Sequence, residues 1–139
     1  MSRYLDAGRD YSNWQLPLGR RFRALKLWSV LRCYGAEGLA AHVEDGIHLA
    51  QQLACRIAKD PRFEIAAPPQ LGLLCFRLTA GEQATHHLLD RINTTGRALL
   101  SSTRVHGRTA LRVAPGGHHT RPDDLEELWS LIDDSAGHP

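Results

Sequence analysis

The spacing of the apolar residues changes near residue 60, and this change limits the chain to folds that combine helices with a sheet. Before residue 60, apolar residues recur every three or four positions, first over Arg20–Tyr34 and then from about Glu37 to Lys59. This period places apolar side chains along one side of a helix. Gly35 lies between the two runs and is well suited to end the first helix. The first half of the chain is therefore predicted to form two helices.

The second half contains short runs rich in β-forming residues. Four such runs predict strands, at Arg62–Ala67, Leu71–Leu78, Ala98–Val105 and Thr109–Ala114. Pro68 and Pro69 separate the first two strands, and the turn His106-Gly107-Arg108 joins the last two. Each pair is therefore expected to form two neighbouring strands.

Two further helices are predicted in this half. One covers about Glu82–Thr95, and the other begins near Thr120, where Thr120 and Asp123 have the spacing of a capping box. The order is helix, helix, two strands, helix, two strands, helix. It predicts an α/β (α+β) fold in which a small antiparallel sheet is covered by helices on one face.

Composition excludes several classes of function. The chain has 17 Lys and Arg against 15 Asp and Glu, a net charge of +2, whereas nucleic-acid-binding domains have a clear basic excess. No run approaches the about 20 apolar residues that span a bilayer, and no signal-peptide pattern is present. Cys33, Cys55 and Cys75 form an odd set without CxxC spacing, which predicts a reducing, cytoplasmic environment. No nucleic-acid or membrane partner is expected.

A basic cluster at Arg20, Arg21, Arg23 and Lys26 is the most conspicuous charged feature. Ion pairing with carboxylates, in the same subunit or across an interface, is the favoured interpretation. Nucleic-acid or phosphate binding is the alternative, but the nearby aromatic residues lie on the apolar stripe of the helix and are not free to stack on bases. The eight histidines lack the spacing of metal ligands, so no metal site is predicted.

Arg112 is the principal candidate for ligand binding. In the run TALRVA, strand alternation places Leu111 and Val113 on one face and Arg112 on the other, as a lone guanidinium among alanines. Such a side chain needs an anionic partner. A structural ion pair and a ligand carboxylate are both open at this point.

Several motifs resemble one enzyme family. The run WQLPLGRRFRALKLWSVLRCYG (residues 14–35) is similar to a signature of the group II pyridoxal-phosphate-dependent amino-acid decarboxylases, the aromatic-L-amino-acid decarboxylase family. DPRFEI, LGLLCFRL, RIN and LRVA extend the resemblance over nearly the whole chain. It implies the small C-terminal domain of the aspartate-aminotransferase fold type, pyridoxal 5′-phosphate as cofactor, an amino acid as substrate, and a homodimer with active sites at the subunit interface.

The resemblance also implies roles for three residues. Tyr4, followed by Leu5, resembles the Tyr-Leu pair of the mobile catalytic loop, whose tyrosine protonates the substrate carbon. Gly19 matches a glycine that contributes to the substrate pocket of the neighbouring subunit. Arg112 matches an arginine that binds a substrate carboxylate in the glutamate-decarboxylase branch.

One expected feature of the family is absent from the sequence. Family members bind the cofactor through a lysine that follows a histidine, whereas Lys26 follows Leu25 and Lys59 follows Ala58. The resemblance therefore implies a C-terminal fragment or truncated member, inactive alone, whose partners are a missing large cofactor domain or a second copy. Residues 1–18 would be a remnant of the catalytic loop, 19–59 a helical connector and 60–139 the small domain. The alternative is a non-catalytic α/β interaction module derived from the same domain.

Overall fold

The computed structural model describes residues 22–137, which form three helical segments and four strands. In chain order these are α1 (Arg23–Lys59), β1 (Phe63–Gln70), β2 (Leu73–Leu78), α2 (Glu82–Thr94), β3 (Ser101–Val105), β4 (Arg108–Val113) and α3 (Pro122–Ala136). Gly35 interrupts α1 with φ 67° and ψ 178°, so α1 consists of two helices that meet at this residue. Both predicted helices are confirmed, and the chain divides into two compact units after Gly35.

In the first unit, the described residues are Phe22 to Gly35. The apolar stripe predicted for this helix is exposed: Phe22, Leu25, Trp28 and Leu31 each retain about half or more of their accessible surface. An amphipathic helix is stabilised mainly by packing of its apolar side. This helix therefore presents an apolar surface without a cover among the described residues of its own unit.

The second unit contains the sheet, with strand order β1-β2-β4-β3 and antiparallel pairing throughout. Its core combines one face of the sheet with the part of α1 that follows Gly35, with α2 and with α3. Fully buried members of this core include Leu53, Phe76, Ile92, Leu111 and Ile132. We call this side the inner face of the sheet. The predicted class, an antiparallel sheet covered by helices on one face, is confirmed.

Two predicted strand limits are wrong for identifiable reasons. β1 continues through Pro68 and Pro69 to Gln70, because it is an edge strand of the described sheet and can accommodate residues without an N–H donor. β3 begins at Ser101 rather than Ala98. The side-chain amide of Asn93 accepts a hydrogen bond from the Leu100 N–H (2.8 Å) and donates one to the Leu100 carbonyl (3.1 Å), in place of strand pairing.

The start of α3 also differs from the prediction. The helix begins at Pro122, and the Arg121 N–H donates a 2.8 Å hydrogen bond to the Asp124 carboxylate. The predicted capping pair of Thr120 and Asp123 is therefore displaced by one residue. Pro122 explains the displacement, since proline is favoured at the first position of a helix, where its missing N–H leaves no bond unmade.

An ion-pair network joins the end of α1 to the end of α3. Arg62 donates to Asp60 (2.6 Å), to the Asp133 carboxylate and to the Gly137 carbonyl (2.8 Å), and its side chain is 20% exposed. The hydrogen bonds that Arg62 donates lower the pKa of Asp60, and the same bonds to Asp60 and Asp133 raise the pKa of Arg62. Arg62 therefore holds the turn before β1 against the C-terminal end of the last helix.

Replacing Arg62 by methionine should lower the free energy of unfolding by about 2 kcal/mol, because it removes several charge-assisted hydrogen bonds from a partly buried position. Arg97→Met is the matched control, since the ion pair of Arg97 with Glu127 is exposed on both sides and should contribute less than about 1 kcal/mol. Urea denaturation of both variants measures the difference. Equal losses of unfolding free energy in the two variants would contradict the stabilising role assigned to Arg62.

Glu82, the first residue of α2, stabilises the neighbouring strand. Its carboxylate accepts a 2.7 Å hydrogen bond from the Thr109 N–H of β4, beyond the last residue of β4 that pairs with β2. This bond is the main reason why the pKa of Glu82 lies below its ordinary value, with smaller contributions from Arg104 and His86. The carboxylate thus takes the place of a strand partner.

Glu82→Gln should destabilise the chain at neutral pH and have progressively less effect in acid. Because folding lowers the pKa of Glu82, its contribution is complete above about pH 5 and is lost as the pH falls through the folded-state pKa. The free energies of unfolding of wild type and variant, measured between about pH 7 and pH 3, should therefore converge. A difference that stays constant over this range would show that ionised Glu82 does not contribute.

Candidate carboxylate site on the sheet

Strand alternation divides β4 between the two faces of the sheet as predicted. Leu111 and Val113 belong to the helix-covered core, and Arg112 lies on the opposite side. Arg112 is in register with Cys75 of β2 and with Ser101 of β3. We call this side the outer face; its members include Ala66, Cys75, Arg77, Arg108, Ala110 and Arg112.

Arg112 shares its face of the sheet with small side chains, but it is not the lone guanidinium that the sequence predicted. Ala66, Cys75 and Ala110 form a small buried cluster on the outer face, and Arg112 itself is exposed. Arg77 and Arg108 share the face with it. The sequence already indicates that Arg108 shares this face. Residues two apart on a strand point the same way, and Arg108, Ala110 and Arg112 have this spacing. The sequence did not predict a role for Arg77, because this residue lies in an otherwise apolar run.

A cleft of about 280 Å³ lies between α3 and the ends of β3 and β4. Arg112 is one of its lining residues, together with Ala98, Leu100, Thr120, Leu128 and Leu131. Arg97 and Glu127 also line it and pair with each other at 2.8 Å. The cleft therefore combines an apolar wall with a guanidinium that makes no ion pair within 4.0 Å among the described residues. This combination suits a ligand with an apolar part and a carboxylate.

The charge of Arg112 affects the pKa of the Cys75 thiol. Burial raises the pKa of Cys75, and the positive charge of Arg112 on the neighbouring strand opposes that rise in part. Cys33 and Cys55 are exposed. Cys75 is thus a buried thiol whose thiolate form is favoured by the nearby guanidinium.

The other predicted site residues have different outcomes. Tyr4 and Gly19 lie outside the described residues, so their roles remain predictions. Both lysines are described and exposed; neither lines the cleft beside Arg112, and Lys59 lies in a shallow groove of α1 with His48, Gln52 and Cys55. The described residues therefore do not fit the anchoring of an aldehyde cofactor.

Residues 22–137 contain neither a candidate metal site nor a candidate membrane span. No group of three or more His, Cys, Asp or Glu side chains in this range is placed to hold a metal ion. None of the helices in the described range is both long and apolar enough to cross a membrane.

Comparison with known proteins identifies the fold. The crystal structure of Oryza sativa TDC with PLP and tryptamine superposes with a TM-score of 0.81 at 33% identity, over 96% of this chain and 30% of that one. The complex of Catharanthus roseus tryptophan decarboxylase with L-tryptophan gives 0.81 at 34% identity, over 98% and 31%. The fold is that of pyridoxal-phosphate enzymes of the aspartate-aminotransferase type.

The sequence comparisons identify the family. Residues 1–79 match the pyridoxal-dependent decarboxylase conserved domain. The chain is 45% identical over 127 residues to an aromatic-L-amino-acid decarboxylase of Drosophila lebanonensis, covering 91% of this chain and 32% of that protein. The chain belongs to the pyridoxal-dependent decarboxylase family, as the motifs predicted, and it spans about a third of the length of this relative.

Cys75 should react with iodoacetamide more slowly than Cys33 and Cys55, because it is buried and its raised pKa leaves less thiolate. Arg112→Gln should slow Cys75 further, since the variant removes the charge that favours the thiolate. Arg104→Gln is the matched control, because Arg104 is in register with Thr109, which contacts α2 on the inner face. Mass spectrometry of each labelled peptide gives the rates; an unchanged Cys75 rate in Arg112→Gln would contradict the proximity of the two groups.

Proposed function

We propose that this chain forms one part of a pyridoxal-phosphate-dependent decarboxylase and that Arg112 binds a carboxylate of the amino-acid substrate. The observation on which this rests is the position of Arg112: an exposed guanidinium on a face of small residues, beside a partly apolar cleft, in a chain of this family. The cofactor, held elsewhere, supplies the electron sink for loss of carbon dioxide. This chain contributes binding and orientation.

The environment of Arg112 supports carboxylate binding on chemical grounds. A guanidinium forms two parallel hydrogen bonds with a carboxylate and thereby fixes the orientation of the bound group. Ala110 and Cys75 are small enough to leave room beside the Arg112 side chain, and Cys75 adds no charge in its favoured thiol form. The apolar side chains Leu100, Leu128 and Leu131 in the adjoining cleft suit an apolar substrate group.

Aromatic L-amino acids are the proposed substrate class. Relatives at 38–45% identity include aromatic-L-amino-acid, tyrosine and tryptophan decarboxylases. In this setting Tyr4 would donate the proton to the substrate carbon, and Gly19 would border the pocket of the adjacent subunit. Both roles rest on the motif resemblance. A cytoplasmic location rests on the cysteine pattern alone.

The proposed partners are the cofactor-bearing part of the enzyme and a second copy in a homodimer. The exposed apolar stripe at Phe22, Leu25, Trp28 and Leu31 supports such contacts, because surface of this kind is normally covered in a functional assembly. The basic cluster in and before the same helix would pair with carboxylates at that interface. The chain alone is therefore proposed to be inactive.

The proposal can be tested in a chimera in which this chain replaces the matching 127-residue segment of the Drosophila lebanonensis enzyme. The chimera should release carbon dioxide from L-tyrosine or L-tryptophan, whereas the isolated chain with added pyridoxal phosphate should not. Arg112→Met in the chimera should lower kcat/KM by about 10 to 100 times, mainly through a higher KM, since it removes a charge-assisted bond to the substrate.

Arg104→Met provides the matched control in the same chimera. It removes an exposed arginine of β3 that lies on the inner-face side and should leave kcat/KM unchanged. Carbon dioxide release by the isolated chain would overturn the proposal that it is only part of the enzyme. Equal kinetics for the Arg112 and Arg104 variants would overturn the role of Arg112.

A further inference from the structure

Arg77 on the outer face is a buried cation whose hydrogen bonding is incomplete. The residue retains only 4% of its accessible surface. Within residues 22–137, nothing accepts a hydrogen bond from its buried Nε and Nη1 atoms. Removing charged donors from water without replacing the lost hydrogen bonds is costly, so buried guanidinium groups are normally paired with an anion. Two donor atoms of Arg77 therefore have no hydrogen-bond acceptor among these residues.

Glu64, the register partner of Arg77 on β1, forms an ion pair with it but accepts no hydrogen bond from its Nε or Nη1 atom. Its Oε2 atom lies 3.8 Å from Nε of Arg77 and 3.5 Å from Nη1 of Arg108, both longer than the about 2.7–2.9 Å of a charge-assisted hydrogen bond. One carboxylate thus faces two guanidinium groups at once. Glu64 is also about half exposed, whereas Arg77 is buried. Together, Glu64, Arg77 and Arg108 carry one positive charge in excess.

We propose that Arg77 is the anchor of a carboxylate-binding site on the outer face, with Arg108 as its second cation. The site is separate from the substrate role assigned to Arg112 and does not depend on it. A carboxylate matches it better than a neutral acceptor, because only an anion both accepts from Nε and Nη1 and balances the excess charge.

The carboxylate can come from an Asp or Glu side chain of the rest of a longer protein or from a free small molecule. The chain spans 25–32% of the length of the curated relatives it matches, and a protein of their length would contain acidic side chains beyond those of this chain. A side chain on the same protein acts at an effective concentration in the millimolar range, so weak intrinsic affinity is sufficient. A free ligand needs tighter binding to the isolated site.

Titration of the 139-residue chain with sodium formate tests the site, with sodium chloride at equal ionic strength as reference. The ¹⁵N–¹H resonance of the Arg77 Nε–H group should shift downfield and saturate below about 100 mM formate but not move with chloride. Half-saturation in the millimolar range or above indicates the side-chain source, and half-saturation well below 1 mM indicates a free carboxylate; these two ranges follow from the effective-concentration argument. No saturable shift would overturn the proposal.

The stability of Arg77 variants gives an independent test. Arg77→Met in the isolated chain should leave the Tm unchanged or raise it, because a buried charge with two unsatisfied donor atoms is replaced by an apolar side chain of similar length. Formate should raise the Tm of wild type and of Arg104→Met but not that of Arg77→Met. A large fall in Tm on Arg77→Met, matched by Glu64→Gln and not increased in the double variant, would show that Glu64 already satisfies Arg77 and would overturn the proposal.

Discussion

The two-residue period of the strands separates two different surfaces, and most features of this chain depend on that separation. On the inner face, Phe76, Leu111 and their neighbours pack against all three helices and provide the hydrophobic stabilisation. On the outer face, alanines and a cysteine alternate with arginines that need anionic partners. A shift of one residue in strand register would exchange the two sets and place guanidinium groups in the core. The core thus fixes where the charges lie.

Much of the fold follows from local sequence signals. The period change near residue 60 and the glycine at position 35 were sufficient for the order of elements, because hydrophobic period and backbone freedom act over a few residues. These signals were not sufficient for the strand limits. Pro68 and Pro69 are tolerated because β1 is at an edge of the described sheet, and the Asn93 side chain replaces strand pairing at Leu100. Both effects depend on tertiary neighbours that local patterns do not contain.

The sequence was sufficient to propose a candidate residue for the site, but not to predict how the charged groups around it are paired. Alternation and motif resemblance together singled out Arg112 as a candidate; its placement on the face opposite Leu111 and Val113 is confirmed, and its role in a site stays a prediction. The incomplete pairing of Arg77 could not be foreseen, because it depends on distances to Glu64 and on burial. Neither lysine follows a histidine, and the chain covers about a third of the length of its Drosophila lebanonensis relative.

The two prolines of β1 have a consequence for how this chain behaves in solution. An edge strand exposes N–H and C=O groups that can pair with strands of other molecules, and sheets with unprotected edges tend to aggregate. Pro68 and Pro69 cannot donate hydrogen bonds, and the pairing of β1 with β2 is irregular at the same place. The C-terminal half of this edge is therefore a poor template for intermolecular strand addition, which restricts cross-β self-association of the sheet along that side.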